Sequence, residues 1–364
     1  MSATRLDPVL IVGTGLIGTS IALSLHRAGI ETVLDDIDPA NLQAAIDRGA
    51  GRPLEAGDRP TVVVVAVPPR HAAAVLAEAS TRFADATITD VTSVKEQVLA
   101  DAIAMGADPE RLVGGHPMAG REVSGAAGAR ADLLDDRWWV LTPSGRTDDD
   151  HLRRIHRLIT TCGSFAVQMT PTEHDEAMAL VSHAPQVVSS TLAAQLVNAK
   201  DEHLRVAGAG LRDTTRIAAS DSALWTDILN VNAAHVADVL EGVIADLAEE
   251  LAALRARADG VADDIPRVRE ELRAGAAGRA RIPGKHGAAA AEYAEVGVMV
   301  ADRPGEIGRL FTAVGDAGIN LEDMRIEHVL GRPSGLVELS VRPEVAGQLA
   351  DALRSRDFDV RGAT

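Results

Sequence analysis

The apolar run Val9–Val12 passes directly into Gly13-Thr14-Gly15-Leu16-Ile17-Gly18, and no other stretch of the chain restricts its fold as much. A strand that meets three glycines at this spacing has one well-known continuation. The first glycine makes a tight turn, the second lets a pyrophosphate approach the backbone, and the third lets the following helix pack on the strand. A helical pattern does follow, through Ile21, Leu23, Leu25 and His26, and it stops at Gly29. Free N–H groups at the start of such a helix attract anions. A second strand, residues 31–34, ends in Asp35-Asp36-Ile37-Asp38, close to the ~20-residue offset at which an acidic side chain meets the ribose hydroxyls. Asp36 is the first choice for that role, with Asp35 and Asp38 beside it. Gly13, Gly15, Leu16, Ile17, Gly18 and Asp36 are therefore expected to hold a dinucleotide. Acidic side chains with no neighbouring Arg or Lys would repel a 2′-phosphate, which favours NAD over NADP.

The following segments extend the same architecture. An amphipathic stretch at 41–48 precedes a fully apolar strand at 61–67, and residues 86–91 and 138–141 read as later strands. Helices alternating with nearly continuous β-branched runs imply an α/β fold with a buried, doubly wound parallel sheet. From about Pro171 the texture changes. Residues 172–200 and 222–257 are alanine-rich and helical in period, with Asp221-Ser222 as a cap for the second. Their apolar faces call for burial against each other or against a second copy of the chain. Residues 274–290 are small, glycine-bearing and basic and read as a linker. A compact α+β pattern closes the chain: a strand at 295–300, a helix reaching Ala317, a strand at 336–341 and a helix at 345–355. The expected organisation is a Rossmann-type domain at 1–168, an all-α substrate and dimerisation domain at 169–273, the linker, and a small domain at 291–364.

With 364 residues the chain exceeds one compact core. Its formal net charge of −17 argues against nucleic-acid binding and requires any anionic substrate to meet a locally basic pocket. Cys162 is the only cysteine, which excludes an internal disulfide and a cysteine-rich metal site, so no metal is expected. No apolar run reaches the ~18 residues of a membrane span, and Met1 to Pro8 lacks the shape of a signal peptide. These features point to a cytoplasmic protein that engages neither membrane nor nucleic acid.

Gly114-Gly115-His116-Pro117-Met118-Ala119-Gly120 sets a histidine in a glycine-rich loop. Imidazole, with a pKa near ~6.5, is the usual proton carrier at neutral pH. His116 is thus a candidate general base beside a nicotinamide, or a hydrogen-bonded structural residue of the loop. Ser93 follows a strand end and can serve a substrate hydroxyl and His116, or cap a helix with Glu96 three residues on. His183 and Arg216 lie in the helical region, and Asp213 is a ready partner for Arg216. Spacing alone makes neither catalytic.

Taken together, the motifs resemble those of prephenate dehydrogenases. The glycine fingerprint, residues 90–95, residues 114–120 with Glu122 and Ser124-Gly125, Ser182-His183-x-Pro185, Thr215-Arg216-Ile217-Ala218-x-Ser220-Asp221 and Trp225-x-Asp227-Ile228 follow in that family's order across residues 8–258. The resemblance implies NAD-dependent oxidative decarboxylation of prephenate to 4-hydroxyphenylpyruvate, in tyrosine biosynthesis. It implies that His116 accepts the proton of the ring hydroxyl, with Ser93 holding that hydroxyl and the imidazole. Arg216 would engage a substrate carboxylate, His183 would lie in the substrate pocket, and Trp225 would reach the active site of the partner in a homodimer. Gln186 stands where relatives often carry a second histidine in the substrate site. Thr92 replaces a common glycine and Arg121 a small residue, at positions where prephenate and arogenate could be told apart. Residues 294–362 resemble an ACT domain through Asp302-Arg303-Pro304-Gly305-x-Ile307 and Gly318-Ile319-Asn320, which implies an amino-acid effector. A β-hydroxyacid dehydrogenase would need a catalytic lysine on the helices, and Lys200 carries no matching motif. An NAD-linked amino-acid sensor would leave His116, Ser93 and Arg216 without a purpose.

Overall fold

A computed structural model describes residues 6–120, 125–283, 293–328 and 334–363, in two compact units that divide after Ile244. Arg121, singled out above, and the neighbouring Glu122 and Ser124 lie outside the described residues. The first unit opens with β1 (Val9–Val12), α1 (Leu16–Arg27), β2 (Thr32–Asp35), α2 (Pro39–Asp47), β3 (Arg52–Pro53), β4 (Val62–Val65) and α3 (Pro69–Arg82). It continues with β5 (Thr87–Asp90), α4 (Glu96–Ala104), β6 (Leu112–Pro117), β7 (Trp138–Pro143), α5 (Asp149–Thr161) and β8 (Phe165–Gln168). These strands form one sheet in the order β3-β2-β1-β4-β5-β6-β7-β8. Pairing is parallel apart from the antiparallel contact of β6 with β7. All four valines of β4 are buried, because helices cover both faces of the sheet. Strand order reverses between β1 and β4, and in such sheets the crevice beyond the strand ends at this point takes the ligand.

β6 corrects an expectation. The segment around His116, anticipated as a glycine-rich loop, is a strand up to Pro117. Its glycines admit neighbouring protein atoms. A Cβ on Gly114 would lie 2.2 Å from Thr142 Oγ1 and 2.8 Å from Leu99 Cδ1, and one on Gly115 would lie 2.7 Å from the Asp90 carbonyl oxygen.

The helical part holds α6 (Pro171–Met178), α7 (Ala184–Ala194), α8 (Asp201–Leu204), α9 (Ala209–Thr215), α10 (Ser222–Val231) and α11 (Ala233–Ala258). The single helix expected over 172–200 is broken by a π-turn, Ala179–His183. Pro185 explains the break: it has no N–H to return to the preceding turn, so the ladder widens there. The helix expected over 222–257 also breaks, and α10 and α11 meet at 96° around Asn232. Asp221 caps α10 as expected, accepting from the Ala223 and Leu224 N–H groups at 2.8 and 3.1 Å.

In the second unit, α12 (Pro266–Ala280) takes in the first part of the expected linker. Ala274, Ala276, Ala277 and Ala280 are strong helix formers and outweigh the two glycines among them. Residues 284–290 of that linker lie outside the described residues. β9 (Ala294–Ala301), α13 (Glu306–Asp316), β10 (Asp323–His328), β11 (Ser334–Val341), α14 (Pro343–Arg354) and β12 (Asp359–Ala363) complete a βαββαβ arrangement. Its antiparallel sheet runs β10-β11-β9-β12. β11 alternates buried and half-buried residues, and Val296, Val298, Val337 and Leu339 meet Leu310 and Leu353 of the helices in a separate core. Among the described residues no single helix is long and apolar enough to cross a membrane.

Candidate active site

The first part of the site is built at the end of β1. Gly13 has φ +98°, and a Cβ there would sit 2.4 Å from the Ala66 carbonyl oxygen. One on Gly18 would sit 2.0 Å from the Gly13 carbonyl oxygen, yet no described residue lies within 4 Å of the Cβ position of Gly15. Packing therefore demands the outer two glycines, and the middle one faces open space. α1 begins there, through Leu16 and Ile17, with no side chain capping its N–H groups. Asp36 is drawn onto this turn, since the Thr14 N–H and hydroxyl donate to its Oδ2 at 2.6 and 2.8 Å. Asp38 serves instead as the cap of α2, accepting from the Ala40 N–H at 2.9 Å. A cavity of about 830 Å³ extends from Gly13 and Gly15 over Asp35 and Asp36 to Val67, Pro68 and His71. An open glycine turn, an uncapped helix start and a carboxylate at the second strand end fit a dinucleotide.

The second part lies at the ends of β5 and β6. Asp90, fully buried, accepts from Lys95 Nζ, the Thr92 hydroxyl and N–H, and the Gly115 N–H. Lys95 is also fully buried; burial lowers its pKa, and Asp90 opposes that shift. His116, half-buried near the end of β6, places its Nδ1 2.8 Å from Nε2 of His174. His174 Nδ1 in turn lies 2.7 Å from Asp175 Oδ1. The two Asp175 oxygens accept from the Lys95 and Glu96 N–H groups, each at 2.8 Å. α6 carries both residues at a fixed place because Thr170 and Glu173 form a capping box at its start. Burial, with His174, Lys95 and His183 nearby, holds His116 well below the usual imidazole value. Burial also lowers His174, against the pull of Asp175. Burial pushes Asp175 up, but hydrogen bonds from His174 and from the Glu96 and Lys95 N–H groups prevail and keep it below the usual carboxylate value.

One of the two roles open to Ser93, the helix cap, needs correcting here. Among the described residues, Nδ1 of His116 is engaged by His174, and Asp175 takes the capping position on α4 assigned to Ser93 and Glu96. Glu96 instead meets Thr172 at 2.9 Å and His235 at 3.1 Å. Ser93 stays half-buried in the turn between β5 and α4.

The third part is a helical wall. His183 Nδ1 lies 3.0 Å from Asn232 Nδ2, which also donates to the Asp175 carbonyl at 2.9 Å. Burial brings His183 down to about 4, so it is neutral, and among the described residues its buried Nε2 has no hydrogen-bond partner. The Trp225 ring meets it edge-on, 6.0 Å between centroids. Gln186 Nε2 donates to the Ile217 carbonyl at 3.0 Å, which ties α7 to the short 3₁₀ turn Arg216–Ala219. Arg216, exposed, begins that turn. Arg70 of α3 pairs with Asp227 of α10 at 2.6 Å, fixing the wall to the nucleotide side. No group of three or more His, Cys, Asp or Glu is placed to hold a metal among the described residues.

The family description "Prephenate dehydrogenase, nucleotide-binding domain" matches residues 21–168, and "Prephenate dehydrogenase, dimerization domain" matches residues 170–269. The probable prephenate dehydrogenase NovF of Streptomyces niveus is 38% identical over 354 residues, 96% of this chain and 98% of that one. The chain belongs to the prephenate dehydrogenase family. Another such enzyme, from Bacillus subtilis, is 28% identical and covers 93% of both chains. Among solved structures, the prephenate dehydrogenase of A. aeolicus in complex with hydroxyphenyl propionate and NAD+ is 30% identical. It superposes with a TM-score of 0.66 over 76% of this chain and 99% of that one. Within this family member, sequence reasoning overlooked His174, Asp175, Asn232 and the buried Asp90–Lys95 pair. The capping box ahead of an adjacent His-Asp was the available signal for the first two. Asp90 and Lys95 stood inside a recognised motif without a role.

Proposed function

We propose that this chain oxidatively decarboxylates prephenate to 4-hydroxyphenylpyruvate with NAD, on the route to tyrosine. The observation that carries the reading is His116: a neutral imidazole, held at Nδ1, at the end of a strand two places from the nucleotide crevice. Backbone N–H groups of Gly13, Gly15, Leu16, Ile17 and Gly18 would hold the pyrophosphate and Asp36 the ribose. NAD, when bound, supplies the hydride acceptor. His116 accepts the proton of the ring hydroxyl while the ring carboxylate departs as carbon dioxide and the ring becomes aromatic. Ser93 steadies that hydroxyl. Arg216 offers its planar fork to a substrate carboxylate, which matters in a chain of net charge −17. His183, whose Nε2 has no hydrogen-bond partner among the described residues, Gln186 and Trp225 line the substrate side.

A homodimer fits the same reading. Ile244, Leu247, Leu251 and Leu254 form an exposed stripe at helical spacing along α11, while Trp225, set against His183 of its own chain, serves its own site rather than the partner's. The βαββαβ unit is assigned an amino-acid effector, by its resemblance to an ACT domain. Cys162, the single cysteine of the sequence, has no partner for an internal disulfide, which fits a reducing compartment, the cytoplasm.

The test is NADH absorbance on mixing purified protein with prephenate or arogenate and NAD or NADP. The reading requires turnover with prephenate and NAD. Preference for arogenate would move the chemistry to the amino-acid substrate, and preference for NADP would displace Asp36 from its role.

A further inference from the structure

Asp175 spends both carboxylate oxygens on backbone N–H groups and, as an ionised carboxylate, can only accept hydrogen bonds. The nitrogen facing it at 2.7 Å, His174 Nδ1, must therefore carry the proton. A neutral imidazole with Nδ1–H has its lone pair on Nε2. That lone pair faces His116 Nδ1 at 2.8 Å, so His116 must in turn carry its proton on Nδ1. The lone pair of His116 is then left on Nε2. The reverse assignment would set a nitrogen lone pair of His174 against the Asp175 carboxylate, two acceptors in contact in a buried place. The rings meet at 66°, which suits a hydrogen bond in the plane of each donor ring and excludes stacking.

We propose that His174 and Asp175 are positioning residues that fix His116 in its Nδ1–H tautomer and so direct the ring's single lone pair, at Nε2, to the hydroxyl it deprotonates. The proposal rests on His116 being the base. The step balances as one proton: the hydroxyl O–H bond breaks, the Nε2–H bond forms, and the charge gained by His116 is met by an acceptor nitrogen backed by an anion. The proton need not travel along the chain. Among the described residues, the charged and titratable groups around His116 are His174, Asp175, Lys95, Asp90 and His183. The Lys95 charge is matched by Asp90, which leaves Asp175 as the anion behind the imidazole pair.

Histidine-specific ¹⁵N NMR of the full-length protein tests this directly, with His116 assigned by its absence from a His116→Asn spectrum. The proposal expects a protonated Nδ1 and a bare Nε2 on His116; a protonated Nε2 in the neutral enzyme overturns it, whatever the substrate proves to be. Kinetics give the second arm. His174→Phe removes the acceptor and should lower kcat about 100-fold, with KM within a few-fold and His116 shifting toward the Nε2–H form. His174→Gln keeps an acceptor oxygen for His116, and should regain at least about tenfold of kcat and restore Nδ1–H. Should His174→Phe fail to fold, the unmodified protein's spectrum still decides. Near-normal kcat in a folded His174→Phe protein overturns the proposal. A parent protein with the expected tautomer but no prephenate turnover would instead overturn the assigned reaction and leave the tautomer assignment standing.

Discussion

His116 is useful as a base because it stays neutral where an ordinary histidine would charge. Burial and the nearby His174 and Lys95 disfavour its cation. A lowered pKa means that the neutral form persists to lower pH, so the acid limb of kcat/KM, which reports the free enzyme, should be centred below the ~6.5 of free imidazole. A pH–rate profile checks this, and a limb at or above that value contradicts it. His116→Asn removes the titrating nitrogen and should lower kcat about 10²–10⁴-fold. NAD affinity, measured by calorimetry, should hold, because the glycine turn and Asp36 belong to other strands. His116 and Asp36 were legible because each sits at a strand end beside a recognisable motif. His174 was not, since it meets His116 across 58 positions of sequence. Ser93 looked like a cap by local spacing, and no local rule reveals that Asp175, 80 residues beyond Lys95, occupies that place.

At the scale of elements, β6 shows how close packing can look like flexibility. Gly114 has Thr142 and Leu99 inside the space a methyl group would fill. Gly114→Ala should therefore destabilise the fold by about 1–3 kcal/mol, the usual cost of overpacking. Gly120→Ala, with no described residue within 4 Å of its Cβ position, is the matched control and should change the urea midpoint little. Equal midpoints for the two variants would remove packing as the reason for Gly114. β1, β4 and β5 were readable from their β-branched runs. β6 was not, because glycine in a strand carries the same local signature as glycine in a loop. The turn Ala179–His183 escaped for a related reason: a proline early in a helix usually marks its start, and here it widens a helix already under way.

At the scale of the molecule, the histidines of the site link stability to pH. Folding lowers the pKa of His116, His174 and His183, and that of His183 falls to about 4. As pH drops below ~6.5 the unfolded chain binds protons that the folded chain refuses, so their contribution is full above ~6.5 and declines below it. The net charge of −17 works the other way, since acidification relieves self-repulsion. A difference measurement separates the two: His183→Asn should lose less Tm between pH 7 and pH 5 than the parent, by calorimetry. A variant that loses as much or more would contradict the linkage. The change of texture near Pro171 made the onset of the helical region legible. The extent of the linker was not, because its small residues serve a helix as well as a tether.

The two family segments meet around Met169, with His116 before that junction and His174 and Asp175 after it. A crossover there, the natural breakpoint for recombining two such enzymes, would part an imidazole from the carboxylate that decides where its proton resides. A chimaera could inherit a complete nucleotide site and still present the wrong nitrogen to its substrate. Grafts that carry the turn and capping box at 170–175 along with the first segment keep the pair together.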